Sequence, residues 1–257
     1  VLCDSHGNSI HLGERDCSTQ RRYQKLIEES PAPGLRPEVR KAMHESALKL
    51  VRGMNYVSCG TIEYLVDAAT QDFYFIEMNT RLQVEHPVTE MVTSIDIVKE
   101  QIWIAAGREL SFTQDDVKIV GHAIEARINA EDPDTFLPSP GEIVGYHAPG
   151  GVGVRVDSAI YDRYRIPPHY DSLIAKIIVR GADREEALIK LVTALEECII
   201  GGIRSNLDLH RRILMHPQFA SGAVHTQLLD IILAEEKELA ESSAAEEDDE
   251  EAKTAVA

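Results

Sequence analysis

Residues 59–79 read CGTIEYLVDAATQDFYFIEMN, two strand-like segments separated by a polar turn. Apolar and aromatic residues fill 59–66 and again 73–79, and the stretch between them has the composition of a turn. The pattern predicts a β-hairpin. If this hairpin is symmetric about residue 70, Glu63 lies directly opposite Glu77, with both side chains on the same face.

Two carboxylates that face each other across a hairpin call for a cation between them. Like charges in this position destabilise a sheet, because their Cβ atoms are only about 5 Å apart. Asn79 shares the face and adds an amide oxygen. Such hard oxygen ligands suit Mg²⁺ or Mn²⁺, which typically bridges a substrate phosphate. A solvated polar face on an edge hairpin is the alternative interpretation, and the residues alone leave both open.

A dense polar stretch, residues 81–88, follows the hairpin and is expected to be a connection because it contains proline. A guanidinium such as that of Arg81 binds a planar oxyanion through paired hydrogen bonds, and a nearby carboxylate such as Glu85 can act as a general base. Bicarbonate, a carboxylate and a phosphate all fit. Lys25, in a short basic run, is a second candidate for an anion site. An ordinary exposed loop is the alternative.

The rest of the sequence predicts two α+β units. A hairpin over residues 1–12 and a helix from Pro37 to Gly53 come before residue 59, and helical apolar spacing follows over 95–106. After a boundary near residue 116, strands interrupted by proline and glycine alternate with a helix capped by Asp183. We divide the chain into a first domain, a second domain and an acidic tail expected to be disordered, at residues 1–116, 117–235 and 236–257.

The composition excludes several classes of protein. The 257 residues carry 26 Lys and Arg against 43 Asp and Glu, a formal charge of −17, so a basic surface for nucleic acid is not expected. No apolar run reaches the roughly 18–20 residues of a membrane helix, and we expect a cytoplasmic protein without membrane contact. The four cysteines are spaced too widely for a zinc clip and are expected to be free thiols.

Four strings, in this order, resemble the biotin carboxylase family, the ATP-grasp component of acetyl-CoA carboxylase and related biotin-dependent enzymes. They are GERDCSTQRRYQK (13–25), GTIEYL (60–65), FYFIEMNTRLQVEHPVTEM (73–91) and EARINAEDP (125–133). The resemblance continues through HAPGGVGVR and PPHYDSLIAK and covers residues 1 to about 235. It implies an α+β fold, in which the C-terminal half of an ATP-grasp domain is followed by a biotin carboxylase C-terminal domain.

The resemblance also implies a reaction and its residues. In this family MgATP phosphorylates bicarbonate to carboxyphosphate, whose carboxyl group then passes to the ureido nitrogen of biotin on a carrier protein. The matching positions imply that Glu85 is the base and that Arg127 stabilises the enolate form of biotin. They further imply a bicarbonate site at Lys25, Arg81, Gln83 and the backbone of Val84, ATP contacts at Gln20, Tyr23, Glu63, Leu65 and Glu77, and two Mg²⁺ or Mn²⁺ ions at Glu63, Glu77 and Asn79.

The implied partners are the biotin carboxyl carrier protein, a carboxyltransferase and a second copy of the chain, bound through the C-terminal domain. Tyr23 departs from the His that bacterial members commonly have, and the turn between the hairpin strands is longer than usual. The family's Rossmann-like domain, glycine-rich lid and ATP-binding lysines would all precede Val1. The chain also opens inside a strand, so we expect a fragment with negligible turnover by itself.

Three alternatives to an acetyl-CoA carboxylase component remain. One is the biotin carboxylase domain of a pyruvate or propionyl-CoA carboxylase, which would share most of these residues. Another is a different ATP-grasp carboxylate ligase, which would keep the metal acids but lack the stretch from Arg81 to Glu85 and Arg127. The third is a non-catalytic dimerisation module.

Overall fold

The computed structural model describes residues 1–254, apart from the side chains of residues 240 and 243–254. The strands are β1 (Leu2–Cys3), β2 (Ser9–Ile10), β3 (Asp16–Arg21), β4 (Gln24–Ser30), β5 (Ser58–Cys59), β6 (Thr61–Val66), β7 (Phe73–Asn79), β8 (His122–Asn129), β9 (Tyr146–His147), β10 (Val154–Ser158), β11 (Leu173–Gly181) and β12 (Ile199–Ile200). The helices are α1 (Pro37–Gly53), α2 (His86–Thr93), α3 (Ile97–Ala105), α4 (Arg184–Glu197), α5 (Leu207–Met215), α6 (Pro217–Ala220) and α7 (Leu228–Thr254). This is the α+β class that the sequence predicts.

A five-stranded antiparallel sheet, in the order β10-β11-β8-β4-β3, supports the site. Strand β8 is buried along nearly its whole length, because the sheet is covered on both faces. Strands β3 and β4 precede the predicted boundary near residue 116, whereas the other three follow it. The boundary therefore divides the sequence but does not divide the sheet.

One face of the sheet carries the main hydrophobic core. Helices α4, α5 and α7 pack there against the apolar side chains of β4, β8 and β11. Asp183 caps α4 as predicted, since its carboxylate accepts a hydrogen bond from the Glu186 backbone N–H at 2.9 Å. The Glu186 carboxylate in turn accepts from the Ala182 N–H at 2.6 Å, one residue before the position that an ordinary capping box uses.

Helix α2 covers the opposite face. Its Val88 and Val92 pack against Ala123 of β8 and Ile178 of β11. The expectation of a connection over residues 81–88 is wrong in its last part, because α2 begins at His86. Its proline lies in the first helical turn, where a missing N–H removes no helical hydrogen bond. Pro87 therefore begins a helix, although a proline in a polar stretch also predicts a loop.

Strands β6 and β7 form a separate two-stranded hairpin. Glu63 pairs with Glu77 across the strands, which confirms the predicted register. Beyond this pair the register shifts by one residue, so that Tyr64 lies opposite Phe75. The bulge keeps the two glutamates opposite each other although the turn end of the hairpin is not symmetric about residue 70.

The acidic C-terminal segment differs from the expected disordered tail. Helix α7 continues through it to Thr254, and residues 255–257 lie outside the described residues. The segment is rich in Ala and Glu, which have high helix propensities. Within residues 1–254, no helix has the length and hydropathy that a membrane span needs. The four cysteines are free, as expected.

Candidate functional site

Glu85 is the carboxylate around which the site is built. It stands immediately before α2, and its side chain is only 3% exposed. One carboxylate oxygen, Oε1, accepts a hydrogen bond from Lys25 Nζ at 2.7 Å. The other, Oε2, accepts from Arg127 Nη2 at 2.9 Å. These two cations come from β4 and β8, so the sheet register brings them to the start of α2.

Charge keeps Glu85 ionised in spite of its burial. Burial by itself raises the pKa of this carboxyl, but the nearby charges of Arg15, Lys25 and Arg127 lower it to about 2. A carboxylate held in this way is a poor proton acceptor until one of its cations is taken up by another anion. An incoming anion would therefore raise the basicity of Glu85 as it binds.

Lys25 connects this carboxylate to the predicted metal ligands. Its Nζ also donates to Glu63 Oε1 at 2.9 Å, and the same oxygen accepts from Gln83 Nε2 at 2.7 Å. Gln83 is itself oriented by Arg15, whose Nη2 donates to Gln83 Oε1 at 2.6 Å. One hydrogen-bonded network thus contains Lys25 and Gln83, which are predicted to bind bicarbonate, and Glu85, which is the predicted base.

The three predicted metal ligands lie together on one face of the hairpin. Asn79 Nδ2 donates to Glu77 Oε1 at 2.9 Å and to Glu63 Oε1 at 3.2 Å. Among the described residues, no group of three or more His, Cys, Asp or Glu side chains is arranged to hold a metal ion. The side chains that the hairpin brings together are two carboxylates and one amide. Such a small oxygen set fits a divalent ion such as Mg²⁺, which usually takes its other ligands from water and substrate phosphates.

Arg81 and Val84, two further predicted anion-site residues, have different surroundings. Arg81 is exposed, and its guanidinium donates to Asn79 Oδ1 and to the Leu82 carbonyl, each at 3.1 Å. The Val84 carbonyl accepts from Lys176 Nζ at 2.7 Å. Lys176 of β11 thereby ties the start of α2 to the sheet.

Arg127 is held at both its side chain and its backbone. Its Nε donates to Glu28 Oε1 at 2.5 Å, in addition to the bond from Nη2 to Glu85. Its carbonyl accepts from Asn206 Nδ2 at 3.0 Å and lies 2.6 Å from His210 Nε2. Burial lowers the pKa of His210 to about 4, so this ring is neutral at pH 7. The guanidinium therefore points from a fixed backbone toward the site.

The remaining predicted ATP contacts lie on the two hairpins. Gln20 is the cross-strand partner of Lys25. Tyr23 is 95% exposed at the tip of the β3–β4 hairpin, where it and Arg22 take left-handed backbone conformations, as a two-residue hairpin turn requires. Leu65 is more than half exposed on β6.

Three residues of the network were not found from the sequence. Arg15, Glu28 and Lys176 reach the site through partners that are distant in sequence, 68, 99 and 92 residues away. The one available signal for Glu28 is its position in KLIEES, a charged residue inside an apolar strand. That signal suggests burial but names no partner.

Two family models match the chain. Residues 1–113 match the ATP binding domain of the carbamoyl-phosphate synthase L chain, and residues 125–231 match the biotin carboxylase C-terminal domain. Biotin carboxylase 1 of Bacillus subtilis is 54% identical over 231 residues, which are 90% of this chain and 51% of the relative. The chain belongs to the biotin carboxylase family.

Other members of the family give the same picture. A pyruvate carboxylase subunit of Methanothermobacter thermautotrophicus is 52% identical over 90% of this chain and 47% of its own length. The biotin carboxylase domain dimer of Hydrogenobacter thermophilus 2-oxoglutarate carboxylase, in complex with MgADP, ADP and bicarbonate, superposes with a TM-score of 0.88 at 47% identity, over 90% of this chain and 52% of that one. The chain spans about half the length of the curated relatives it matches.

Proposed function

We propose that this chain acts in a biotin carboxylase, a ligase that uses ATP and bicarbonate to carboxylate the ureido nitrogen of biotin on a carrier protein. The observation that carries the proposal is the position of Glu85, a buried carboxylate held between Lys25 and Arg127. The same lysine reaches the oxygen ligands of the hairpin. An anion site, a base and a set of phosphate-metal ligands therefore adjoin one another.

Bicarbonate is the anion that this arrangement suits. Lys25 and Arg81 supply positive charge, while the Gln83 amide and the Val84 N–H supply neutral donors. Bicarbonate that binds to Lys25 weakens the ion pair between Lys25 and Glu85. Because the Glu85 pKa then rises, this carboxylate accepts the bicarbonate proton, and a bicarbonate oxygen becomes a better nucleophile toward the γ-phosphorus of ATP.

The nucleotide and its metal ions belong on the hairpin side of the site. Glu63, Glu77 and Asn79 would hold two Mg²⁺ or Mn²⁺ ions, which neutralise charge on the transferring phosphoryl group. Gln20, Tyr23 and Leu65 are proposed to contact the nucleotide. Lys25 and Gln83 orient Glu63 toward this side through the bonds to its Oε1.

Arg127 is assigned to the second half of the reaction. Its guanidinium is fixed by Glu28 and Glu85, so it can neutralise an oxyanion without first having to reorganise. We assign that oxyanion to the enolate oxygen of biotin, whose ureido nitrogen attacks the carboxyl group of carboxyphosphate and displaces phosphate.

The acyl acceptor and the partners are proposed more broadly. Acetyl-CoA carboxylase, and with it fatty acid synthesis in the cytoplasm, is the leading assignment, with a biotin carboxyl carrier protein and a carboxyltransferase as partners. The similarity to a component of a pyruvate carboxylase supports keeping a pyruvate or propionyl-CoA carboxylase as the second candidate. A homodimer through the C-terminal domain is compatible with either candidate.

The test is biotin-dependent ADP release in the presence of bicarbonate and Mg²⁺. We expect activity when the chain is mixed with the upstream half of a related enzyme. Glu85→Gln and Arg81→Ala should each lower it by about 100-fold or more, as loss of a general base or an oxyanion donor does. Glu109→Gln, at an exposed site, is the matched control for the first substitution.

Three outcomes would contradict parts of the proposal. Full activity in Glu85→Gln would remove the base assignment. No ADP release in any mixture, together with a stable dimer in sedimentation, would favour a non-catalytic dimerisation module. ADP release that requires another carboxylate substrate, and neither bicarbonate nor biotin, would favour a different ATP-grasp ligase.

A further inference from the structure

Two glutamates are buried opposite each other on the face of the large sheet that α2 covers. Glu28 of β4 is the cross-strand partner of Glu125 of β8, and both residues are 0% exposed. Residues in such a pair have Cβ atoms about 5 Å apart. Two ionised carboxylates in this position would repel each other, and burial makes each charge expensive.

Most of their oxygens have no hydrogen-bond partner in the described part of the chain. Glu28 Oε1 accepts from Arg127 Nε at 2.5 Å, but Glu28 Oε2 and both carboxylate oxygens of Glu125 are unpaired and buried. Ionised carboxylates can only accept hydrogen bonds, whereas a protonated carboxyl also donates one. One proton between the two groups would pair two of these oxygens and remove one of the two charges.

Neither neighbouring cation forms a hydrogen bond with Glu125. Arg127 binds Glu28 and Glu85, and Lys176 binds the Val84 carbonyl and lies 3.5 Å from Asp157. From α2, Val88 and Val92 pack against this face of the sheet. The titratable and charged groups that act on the pair are Glu85, Arg127, Lys176, Lys25 and Cys17.

The electrostatics agree with the geometry. Burial, and then the charge of Glu28, raise the pKa of Glu125 well above its ordinary value. Burial also raises the pKa of Glu28, but the Arg127 guanidinium opposes this rise. Glu125 is therefore the member of the pair that keeps the proton.

We propose that Glu28 and Glu125 hold a single proton between them, with Glu125 as the acid and Glu28 as the carboxylate that positions Arg127. The shared proton is inferred from the fold alone, whereas the positioning role rests on the proposed function. When Glu85 accepts a proton and loosens its bond to Arg127, Glu28 still holds the guanidinium through Nε. Glu28 thus keeps Arg127 oriented between the two halves of the reaction.

The shared proton can be measured in the full chain without any activity. Infrared spectra at pH 8 should contain the carbonyl stretch of a protonated carboxylic acid, and Glu125→Gln should remove it. The spectra are recorded at pH 8 because burial raises the pKa of Asp16 to about 6. At pH 8 the Asp16 carboxyl is ionised and does not contribute to the acid band. Glu185→Gln, on the exposed surface of α4, is the control and should leave the band unchanged.

The positioning role is tested by kinetics with the upstream half of a related enzyme supplied. Glu125→Gln should stay close to the wild-type rate, because its amide N–H can replace the acid proton. Glu28→Gln should lower kcat of biotin-dependent ADP formation by on the order of 100-fold, the cost of a misplaced catalytic group, with an unchanged KM for ATP.

An infrared spectrum without the acid band in the wild-type chain, or a band that persists in Glu125→Gln, would overturn the shared proton. This measurement needs only the wild-type chain and the Glu125 variant, so poor folding of Glu28→Gln would not prevent it. Equal losses of kcat in both variants would overturn the positioning role. An inactive wild-type mixture would refute the proposed function but leave the infrared result standing.

Discussion

Burial and the nearby charges have opposite effects on the pKa of Glu85. The surrounding cations lower its pKa from an ordinary 4.5 to about 2, so the folded state binds the proton less readily than the unfolded state. The stabilisation from this carboxylate is therefore fully present above its unfolded pKa and is lost as the pH falls through the folded pKa.

This sign gives a prediction for acid unfolding. Urea midpoints of the wild-type chain should fall as the pH is lowered from about 4.5 toward 2, and Glu85→Gln should flatten this part of the profile. At pH 7 the variant should be less stable by about 3–5 kcal/mol, because Lys25 and Arg127 lose their shared partner. Equal acid sensitivity in Glu85→Gln and Glu109→Gln would contradict the assignment.

The pairing of site residues could be predicted from the sequence where the two partners lie close together along the chain. Glu63 and Glu77 could be paired from the sequence because one hairpin joins them, and the bulge did not disturb that pair. Glu28 and Lys176 could not be found, because their partners Arg127 and Val84 lie 99 and 92 residues away. Spacing along a chain carries no information about which strands become neighbours in a sheet.

The start of helix α5 fixes the strand that bears Arg127. Asn206, just before this helix, donates to the Arg127 carbonyl and accepts from the Asn129 N–H at 2.7 Å, and it is almost completely buried. Both bonds hold β8 to α5. The helix starts at Pro37 and Asp183 could be predicted because each has a local sequence signal. The start of α2 could not, because a proline is typical both of a loop and of a first helical turn.

Asn206→Ala should cost about 1–3 kcal/mol of unfolding free energy, the penalty for leaving a buried polar group unpaired. Chemical denaturation at pH 7 measures it. Asp208→Ala, at an exposed position of α5, should change stability by no more than about 0.5 kcal/mol. Similar values for the two variants would mean that the link between α5 and β8 contributes little.

The sheet shared across residue 116 makes the two predicted domains interdependent. Strand β4 contributes Leu26 and Ile27 to the main core, although it belongs to the first family-model segment. Residues 117–257 alone would lose this core contribution, at about 1.5–3 kcal/mol for each side chain, and would leave β8 paired on one side only, with β11.

We therefore expect residues 117–257, expressed alone, to show no cooperative thermal transition by circular dichroism, whereas the 257-residue chain shows one. Addition of a peptide with the sequence of residues 13–34 is the informative control, because it restores β3 and β4. A sharp transition in the isolated segment without the peptide would show that the sheet is stable without these strands.

The shared sheet also limits how such proteins can be recombined. A chimera joined at residue 116 would place β4 of one parent beside β8 of another, so Ile27 would face a foreign Ala126 and Glu28 a foreign Glu125. An exchange that respects the fold must carry residues 16–30 together with the C-terminal segment, although more than 80 residues separate them along the chain. Among related proteins, we expect a substitution on β4 to be accompanied by a compensating substitution at the paired position of β8.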